Sequence, residues 1–514
     1  MKNFEFNGIR FSTLFPSRYV KETLNGSSGR ILVGRQYKGL INKIDGNYIE
    51  IKFSDNKVSI LRDKFGSIPL YYRLDCSYIS TSLSDLVLPD DEYCINSMSH
   101  YITNGILFGS DTPYKNIKKL CPYERLIFIN KNFKVINIEN YFPNISNDFK
   151  IEILEEIILN SIENIRSIED NSNKILLNLS GGNDSSLLLS LMNHVGFDSD
   201  SIISNTFYHS DWRTDFDDWI WSKRVADIYS INNQLCKIDV SDFNKFNLEL
   251  IHQTKGLYHT YGTAFHCQTS FVKNNLDNES IIINGSGPDE VIIGTEKIEV
   301  STLINQGNKS YQDYFNYLFT AQDYNKIPLE EVSEYFLEKV CIQDLNFTKL
   351  VEQSFNTKKS FADNQRCFHS LFVLQDHIST LFAASGCSKM AMIFPFLTND
   401  FFDFCFSTQF NILNNESIYK KCIKDILIKY LPHDIVYRKK IGFQSPSRIY
   451  FANKNLMGLE LLTYFEKNSS ILNLDKLIQP INKRLMIEAS LIKRYDFLEW
   501  NILNILRLEN ISSS

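Results

Sequence analysis

The sequence predicts an α/β protein with two domains, in which a strand-rich first part precedes a parallel sheet with helices on both faces. Its 514 residues exceed what one hydrophobic core usually organises. Residues 1–147 contain short strand patterns separated by turns. Residues 148–514 alternate strand and helix patterns up to about residue 300 and are mainly helical afterwards. We therefore predict a domain boundary at residues 147–148.

Composition excludes several classes of protein. A net charge of -6 argues against a nucleic-acid surface. The N-terminus shows no apolar signal region, and no apolar stretch is long enough to span a membrane. The ten cysteines are scattered singly, which is typical of a reducing compartment rather than of disulfides or a zinc site. We expect a cytoplasmic protein without nucleic-acid or membrane partners.

The individual elements follow in chain order. The first domain has strand patterns at Ile31–Gly34, Tyr48–Phe53, Lys57–Arg62 and Arg125–Ile129. A polar stretch at 143–148 then marks the boundary, and apolar spacing over 151–165 predicts an amphipathic helix. The second domain continues with strands at Leu176–Leu179, Ser201–Tyr208 and Ser280–Ile283 and with a helix at Asp217–Tyr229.

The most informative segment is Leu176–Ser186, with the sequence LLNLSGGNDSS. An apolar strand runs into a Ser-Gly-Gly turn, and a helix pattern follows. Backbone N–H groups at such a turn carry partial positive charge and suit a phosphate. Asp184 would repel that phosphate unless a divalent cation lay between them, so we expect Mg²⁺ with the nucleotide. No lysine follows the glycines, which excludes the common Gly-x-x-x-x-Gly-Lys phosphate loop.

Two further clusters support this interpretation. The sequence NGSGPDE at 284–290 follows an apolar strand, and parallel strands end on one edge of a sheet. Asp289 can therefore supply a second carboxylate to the same Mg²⁺. A turn of this sequence, taken alone, would not indicate a functional site. The third cluster, at 431–443, contains a basic pair that is usually only solvated surface. Acyl-adenylate chemistry needs a fixed cation, and Lys440 is the candidate.

These three clusters, in this order, resemble the synthetase domain of the asparagine synthetases, whose glycine loop is of the ATP-pyrophosphatase type. Relatives include the β-lactam synthetases and the lasso-peptide cyclases. The resemblance implies ATP and Mg²⁺ as cofactors, with Asp184 and Asp289 on the metal and catalytic positions at Lys440 and Ser286. The nucleotide positions that it implies are Leu179, Ser180, Gly181, Gly182, Asp184, Ser185, His209, Asn284 and Gly285.

The first domain is similar to class II glutamine amidotransferase domains, which implies an Ntn-like sandwich. The similarity is carried by RDKFGSIPLYY at 62–72, a turn at 42–46 and the segment 117–122. Glutaminase chemistry of this type needs an N-terminal cysteine, whose own amino group activates the thiol. Here Met1 is followed by Lys2, and the nearest cysteine is Cys76. We expect no glutaminase activity and a structural remnant, so that a substrate supplies the amine.

The function implied by the resemblance is an AMP-forming ligase that adenylates a carboxylate for attack by an amine. Asparagine synthetases have Glu, and β-lactam synthetases Tyr, where this chain has Ser286. The charged Glu-x-Arg-x-Pro pattern is replaced by Ala391–Pro395, which predicts a larger, less charged substrate. We favour macrolactam closure of a lasso-type peptide in antibiotic biosynthesis, with a leader-peptidase or precursor-binding partner. The alternatives are an ammonia-using asparagine synthase, a ligase for a small metabolite or sugar carboxylate, and an inactive ATP-binding scaffold.

Overall fold

The structure is a computed structural model of the chain. It describes all residues except 1, 7, 76, 130–131, 140, 147–149, 170–172, 210–217, 274–275, 277–279, 295–328, 339, 341–351, 353, 357–358, 416–417, 439–449, 452–454, 487–497 and 513–514. The residues next to the predicted domain boundary are thus partly outside the described chain, and the boundary stays a prediction. The predicted fold class is confirmed, because a parallel sheet flanked by helices follows a strand-rich first part.

The strands and helices have the following bounds. The strands are β1 Lys2–Phe6, β2 Ile9–Thr13, β3 Val20–Asn25, β4 Ser28–Gly34, β5 Tyr48–Ser54, β6 Lys57–Arg62, β7 Tyr71–Arg73, β8 Tyr78–Ser80, β9 Ile117–Lys119, β10 Glu124–Ile129, β11 Asn132–Asn137, β12 Ile175–Asn178, β13 Ile202–His209, β14 Asn232–Ile238, β15 Ile281–Ile283 and β16 Ala391–Ile393. The α-helices are α1 Ile95–Asn104, α2 Ile151–Ile168, α3 Asn183–His194, α4 Asp218–Ile228, α5 Val240–Thr254, α6 Thr260–Val272, α7 Leu329–Glu334, α8 Phe361–Phe368, α9 Leu374–Cys387, α10 Asn399–Ser407, α11 Phe410–Leu413, α12 Lys421–Leu427, α13 His433–Val436, α14 Leu456–Phe465, α15 Leu474–Leu485 and α16 Leu498–Ser512.

The parallel sheet has the strand order β14-β13-β12-β15-β16. Its centre, β12, pairs with β13 on one side and β15 on the other, in a register that places Ile175 opposite both Ile202 and Ile281. The three isoleucines of β15 are fully buried, as expected for a strand covered on both faces. Because β12 and β15 are neighbours, the loops that follow them leave the same edge of the sheet side by side.

Two helices show why the sequence folds in this way around β12. In α2, apolar residues recur at helical spacing, and one face from Leu154 to Ile165 is buried. In α3, eight consecutive residues from Ser185 to Met192 are buried, so this helix lies inside the domain rather than on its surface. The N-terminus of α3 is therefore held firmly at the sheet edge where β12 ends.

The first part of the chain forms two sheets that pack face to face. One sheet has the order β1-β2-β8-β7-β9, and the other, which is antiparallel throughout, has the order β11-β10-β6-β5-β4-β3. Aromatic contacts join them: the rings of Phe6 and Phe53 lie 5.5 Å apart, and those of Tyr72 and Phe133 lie 5.9 Å apart. The predicted sandwich is therefore present. One continuous cluster of buried apolar side chains includes both this sandwich and the parallel sheet.

A buried carboxylate fastens the two parts of the chain together. Asp400, at the start of α10, accepts hydrogen bonds from the backbone N–H groups of Leu40, Ile41 and Asn42 at 2.5, 3.1 and 2.8 Å. Charge-assisted bonds of this kind are about twice as strong as neutral ones. Lys64 of the sandwich also forms an ion pair with Asp403 of the same helix. The sandwich is thus docked by polar contacts as well as by its apolar core.

Within the described ranges, no helix is both long and apolar enough to cross a membrane. None of the cysteines described there forms a disulfide.

Candidate active site

The glycine loop closes on itself through its own hydroxyl groups. The Ser180 hydroxyl accepts the Gly182 N–H at 3.2 Å, and the Ser185 hydroxyl accepts the Ser180 N–H at 3.2 Å. Helix α3 begins directly after the N-cap residue Gly182, which as a glycine has no side chain to cap the helix. The first N–H groups of a helix lack intrahelical partners and bear partial positive charge. An anion at this position would find both donors and a favourable dipole.

Glycine suits positions 181 and 182 of the loop for two different reasons. Gly181 has a φ of +67°, and a Cβ there would lie 2.6 Å from the backbone nitrogen of Ser222 in α4. Gly182 has a φ of −76°, and a Cβ there would meet only the Ser180 hydroxyl, at 3.2 Å. Gly181 therefore lets the loop pack against α4, whereas Gly182 leaves the outer side of the loop open to a ligand.

A cation from the third cluster also reaches this loop. The Arg438 guanidinium donates a hydrogen bond to the Gly181 carbonyl at 3.0 Å and lies 5.6 Å from the ring centre of Trp221. The chain segment that leads to Lys440 is thus in contact with the glycine loop. Lys440 itself lies outside the described residues, and its catalytic assignment stays a prediction.

The second loop packs directly on the first. Its turn is held by Asn284, whose side-chain oxygen accepts the Ser286 N–H at 2.8 Å. A Cβ on Gly285 would lie 3.2 Å from the Ser185 backbone nitrogen, so glycine permits this close approach of the two loops. Asp289 then opens the π-helical turn Asp289–Ile293. The structure thus places the Ser180 and Asn284 loops side by side.

Lys420 joins the two predicted metal carboxylates. Its ammonium group forms ion pairs with Asp184 and with Asp289, the latter at 2.5 Å. The Lys420 side chain is only 3% exposed, whereas the Asp184 and Asp289 side chains are 15% and 33% exposed, so a buried ammonium group joins two partly exposed carboxylates. The two carboxylates therefore reach one common point in space, as the sequence analysis predicted. The sequence analysis missed the lysine that lies between them.

The backbone at Lys420 is held in an unusual conformation. Lys420 has a φ of +50°, a left-handed conformation that a side chain other than glycine adopts at a cost. Its N–H donates to the side-chain oxygen of Asn414 at 2.9 Å, and the amide group of Asn414 donates to the Ile292 carbonyl at 2.8 Å. The fully buried Asn414 thus links the lysine to the turn that carries Asp289.

The donor set agrees with a magnesium ion. Mg²⁺ is usually bound by one or two carboxylates together with substrate phosphates and water, and Asp184 and Asp289 provide two carboxylates at one point. No group of three or more His, Cys, Asp or Glu side chains that could hold a metal occurs among the described residues. A closed protein cage is therefore absent from that part of the chain, and phosphate oxygens would complete the coordination.

A histidine and a glutamate lie beside Asp289. The Nδ1 atom of His377, in α9, lies 2.6 Å from a carboxylate oxygen of Glu290, and the His377 side chain is 31% exposed. The Tyr261 ring stands edge-on to His377 at 4.7 Å. Burial alone would lower the pKa of His377, but the Glu290 hydrogen bond and the charges of Glu290, Asp376 and Asp289 together outweigh burial and raise the pKa above 6.5. The sequence analysis did not identify this pair.

The remaining predicted positions are placed as follows. Leu179 is fully buried, and its carbonyl accepts a hydrogen bond from the Thr206 hydroxyl at 2.7 Å. The His209 side chain contacts the Tyr450 hydroxyl, with ring centres 5.2 Å apart. The His209 imidazole is thus turned into the protein, and only its backbone stays a candidate for the nucleotide. Both residues lie at or just beyond the carboxyl ends of sheet strands.

The apolar segment at 391–393 has a structural explanation. Ala391, Met392 and Ile393 form β16 at the edge of the parallel sheet, and all three side chains are buried. The backbone nitrogen of Asn284 donates to the Ile393 carbonyl at 3.0 Å, which fixes the second loop. Their apolar character follows from this packing, so it no longer supports the prediction of a larger, less charged substrate.

The amidotransferase-like segment of the sandwich is also used for packing. The Arg62 guanidinium donates to three backbone carbonyls, including Ile68 at 3.0 Å. The buried Asp63 carboxylate accepts the N–H groups of Phe65 and Ser67 at 3.1 Å, and burial raises its pKa. Both charged side chains are thus occupied in shaping the loop.

A parallel α/β sheet with a glycine loop at a helix N-terminus and two carboxylates at one point defines a nucleotide-binding α/β protein. The sequence model of the family described as asparagine synthase matches residues 170–463. The chain belongs to the asparagine synthase family. At this level the match supports an ATP-dependent ligase that forms carbon–nitrogen bonds.

Other comparisons add little. Among solved structures, the chain is similar to the NMN synthetase from Francisella tularensis, with 14% identity and a TM-score of 0.21. That similarity covers 29% of this chain and 59% of the NMN synthetase. The chain thus spans less than two thirds of that protein's length. No curated protein matches the sequence.

Proposed function

We propose that the protein is an ATP-dependent ligase that adenylates a substrate carboxylate and passes the acyl group to an amine. One observation carries this proposal. Asp184 and Asp289 come from loops after neighbouring strands and meet at one point beside a glycine loop that opens a helix. Such a site suits the triphosphate of ATP with its metal.

The reaction has two steps. A carboxylate oxygen of the substrate attacks the α-phosphorus of ATP, and pyrophosphate leaves with the bridging oxygen. The amine then attacks the carbonyl carbon of the acyl-adenylate, and AMP leaves with the electron pair of the broken C–O bond. A proton is lost from the amine, so that a neutral amide forms. AMP formation is part of the proposal and follows from attack at the α-phosphorus.

The residues of the site divide between the two steps. The Ser180 loop and the N-terminus of α3 would hold the leaving pyrophosphate, and the ammonium group of Lys420 would offset its charge. Magnesium, held by Asp184 and Asp289, would neutralise and orient the phosphates. Lys440 would stabilise negative charge on the α-phosphate and on the tetrahedral intermediate. The cytoplasm is the compartment that we propose for this ATP-dependent reaction.

Within this class, we propose macrolactam closure of a lasso-type peptide, with a precursor-binding partner that delivers the substrate. Two features support it. The half-buried Ser286 is a smaller side chain than the Glu or Tyr that relatives carry at this position. The sandwich uses its amidotransferase-like residues for packing, so the amine would come from the substrate itself. Adenylation followed by intramolecular attack would then yield the ring.

The test is a product assay with MgATP. The protein is incubated with peptides that carry a free N-terminal amine and one Asp or Glu side chain, or with aspartate and ammonium. A cyclase releases pyrophosphate and AMP only with a peptide and yields a product lighter by one water in mass spectrometry. An asparagine synthase responds to aspartate and ammonium instead. A protein that releases no pyrophosphate with any carboxylate would contradict the proposal and favour a scaffold.

A matched pair of variants locates the activity. Asp184→Asn should abolish pyrophosphate release, because the site loses one of its two carboxylates. Asp227→Asn should leave it unchanged, because Asp227 is a 60% exposed carboxylate paired with Lys223 on the surface of α4. Full activity in Asp184→Asn would remove the metal assignment.

A further inference from the structure

The point where the two carboxylates meet is held by a cation of the protein itself. The ammonium group of Lys420 contacts Asp184 and Asp289 together, and its side chain is 3% exposed. Two negative groups and one positive group leave this cluster with one net negative charge. A metal that binds at the point where both carboxylates meet would compete with the ammonium group for their oxygens.

The backbone of Lys420 is anchored, whereas its side chain is long and unbranched. The backbone is fixed because Asn414 accepts the Lys420 N–H at 2.9 Å and donates to the Ile292 carbonyl at 2.8 Å. The lysine follows a turn in which Asn415 and Ile418 pair with each other, and α12 begins at the next residue. The long, unbranched side chain can therefore swing about a fixed base.

We infer that Lys420 acts as a gate that excludes free divalent cations from the site and admits them only together with a polyphosphate. This inference rests on the proposed function. A metal ion alone would expel the ammonium group and leave a buried charge without its partners, which is strongly unfavourable. A polyphosphate removes this penalty, because its oxygens give Lys420 new acceptors.

The net charge of the cluster also favours binding of the metal together with a polyphosphate. A divalent cation added to two carboxylates and one ammonium group would reverse the net charge to positive, beside the positive N-terminus of α3. A polyphosphate brings several negative charges and would restore the balance. Metal and polyphosphate should therefore bind with positive coupling, which by linkage is the same in both directions. The protein would then not be held in an unproductive complex with metal alone.

Equilibrium dialysis with Mn²⁺ as a stand-in for Mg²⁺ tests the gate without any carboxylate substrate. The Mn²⁺ retained with the intact protein is measured alone and with inorganic pyrophosphate. We expect the wild type to bind Mn²⁺ at least about 10-fold more tightly when pyrophosphate is present. Equal retention under both conditions would overturn the gate and leave the proposed function standing. Retention under neither condition would contradict the proposed function, and the gate with it.

A substitution of Lys420 should shift the affinity for Mn²⁺ alone and the affinity for Mn²⁺ with pyrophosphate in opposite directions. In Lys420→Met, Mn²⁺ alone should bind about 10-fold or more tightly than in the wild type, because nothing competes for the carboxylates. Pyrophosphate with Mn²⁺ should bind more weakly, because a phosphate partner is lost. A purely structural role would weaken both. Unchanged binding of Mn²⁺ alone in the folded variant would overturn the inference.

The neighbouring residue provides the control. Lys421→Met removes a lysine that is 40% exposed and pairs with Asp425 on α12, away from the carboxylates. It should retain Mn²⁺ as the wild type does under both conditions. Circular dichroism confirms that each variant is folded, and the wild-type comparison needs no variant at all.

Discussion

Replacing each glycine of the Ser180 loop by alanine should separate a folding role from a ligand-binding role. Alanine at position 181 would adopt a left-handed backbone, which costs about 1–2 kcal/mol for a residue with a Cβ. Its Cβ would also approach the Ser222 nitrogen to 2.6 Å, and forced repacking of this kind costs about 1–3 kcal/mol. We therefore expect Gly181→Ala to lower the free energy of unfolding by about 2–5 kcal/mol.

Gly182→Ala is the matched partner. Its φ of −76° is ordinary for alanine. The loss of glycine at the N-cap of α3 should therefore lower the free energy of unfolding by about 1 kcal/mol or less. The new methyl group would face the open side of the loop, where we place the phosphates. This variant should stay folded and bind MgATP about 10-fold or more weakly, a loss of about 1.4 kcal/mol.

Urea denaturation and calorimetric titration with MgATP distinguish the two variants. Trp221 contacts the position of the added Gly181 methyl group, so tryptophan fluorescence also reports displacement of the loop. If Gly181→Ala unfolds at the same urea concentration as Gly182→Ala, the packing argument is wrong. If Gly182→Ala binds MgATP as tightly as the wild type, the phosphates do not lie on the open side of the loop.

Three further predictions concern other parts of the chain. Lys440→Ala should lower kcat by about 10²–10³-fold in the pyrophosphate assay, because a developing charge loses its partner; a rate near that of the wild type would contradict the assignment. The raised pKa of His377 means that its pairing with Glu290 stabilises the fold fully below pH 6.5 and loses this effect as pH rises through the raised pKa. The difference in urea midpoint between wild type and His377→Gln should therefore shrink at alkaline pH, and a difference that grows would refute it. Asp400→Asn should lower the free energy of unfolding by about 2–4 kcal/mol in guanidinium, because three backbone N–H groups lose a charged acceptor; an unchanged midpoint would show that the carboxylate does not hold the sandwich.

Long elements with a clear period were predictable from the sequence. Helix α2 and strands β5, β6 and β13 lie within a few residues of their predicted bounds, because a single buried face sets their pattern. Among the strands of three residues, β15 was predicted from its run of isoleucines, whereas β7, β8 and β16 were not predicted as strands. They carry too few residues for a period and are defined by their neighbours in the sheet.

The candidate site also contains parts that the sequence predicted and a part that it missed. The loops at 180–185 and 284–290 were found because each follows an apolar strand and carries glycine and acidic residues together. Lys420 was missed because two adjacent lysines at the start of a short helix look like solvated surface. Its position depends on a left-handed turn and on Asn414, and its two partners lie 236 residues and more than a hundred residues away in the chain. No local pattern contains that information.

The contact between α10 and residues 40–42 limits how far the sandwich can be lost during evolution. Removal of the sandwich would leave the Asp400 carboxylate with three fewer donors and would expose apolar surface shared with the parallel sheet. Natural selection for a stable protein would therefore preserve the shape of the sandwich, whatever chemistry the sandwich itself performs. Attempts to shorten the protein for engineering should begin at surface loops of the sandwich and spare its contact with α10.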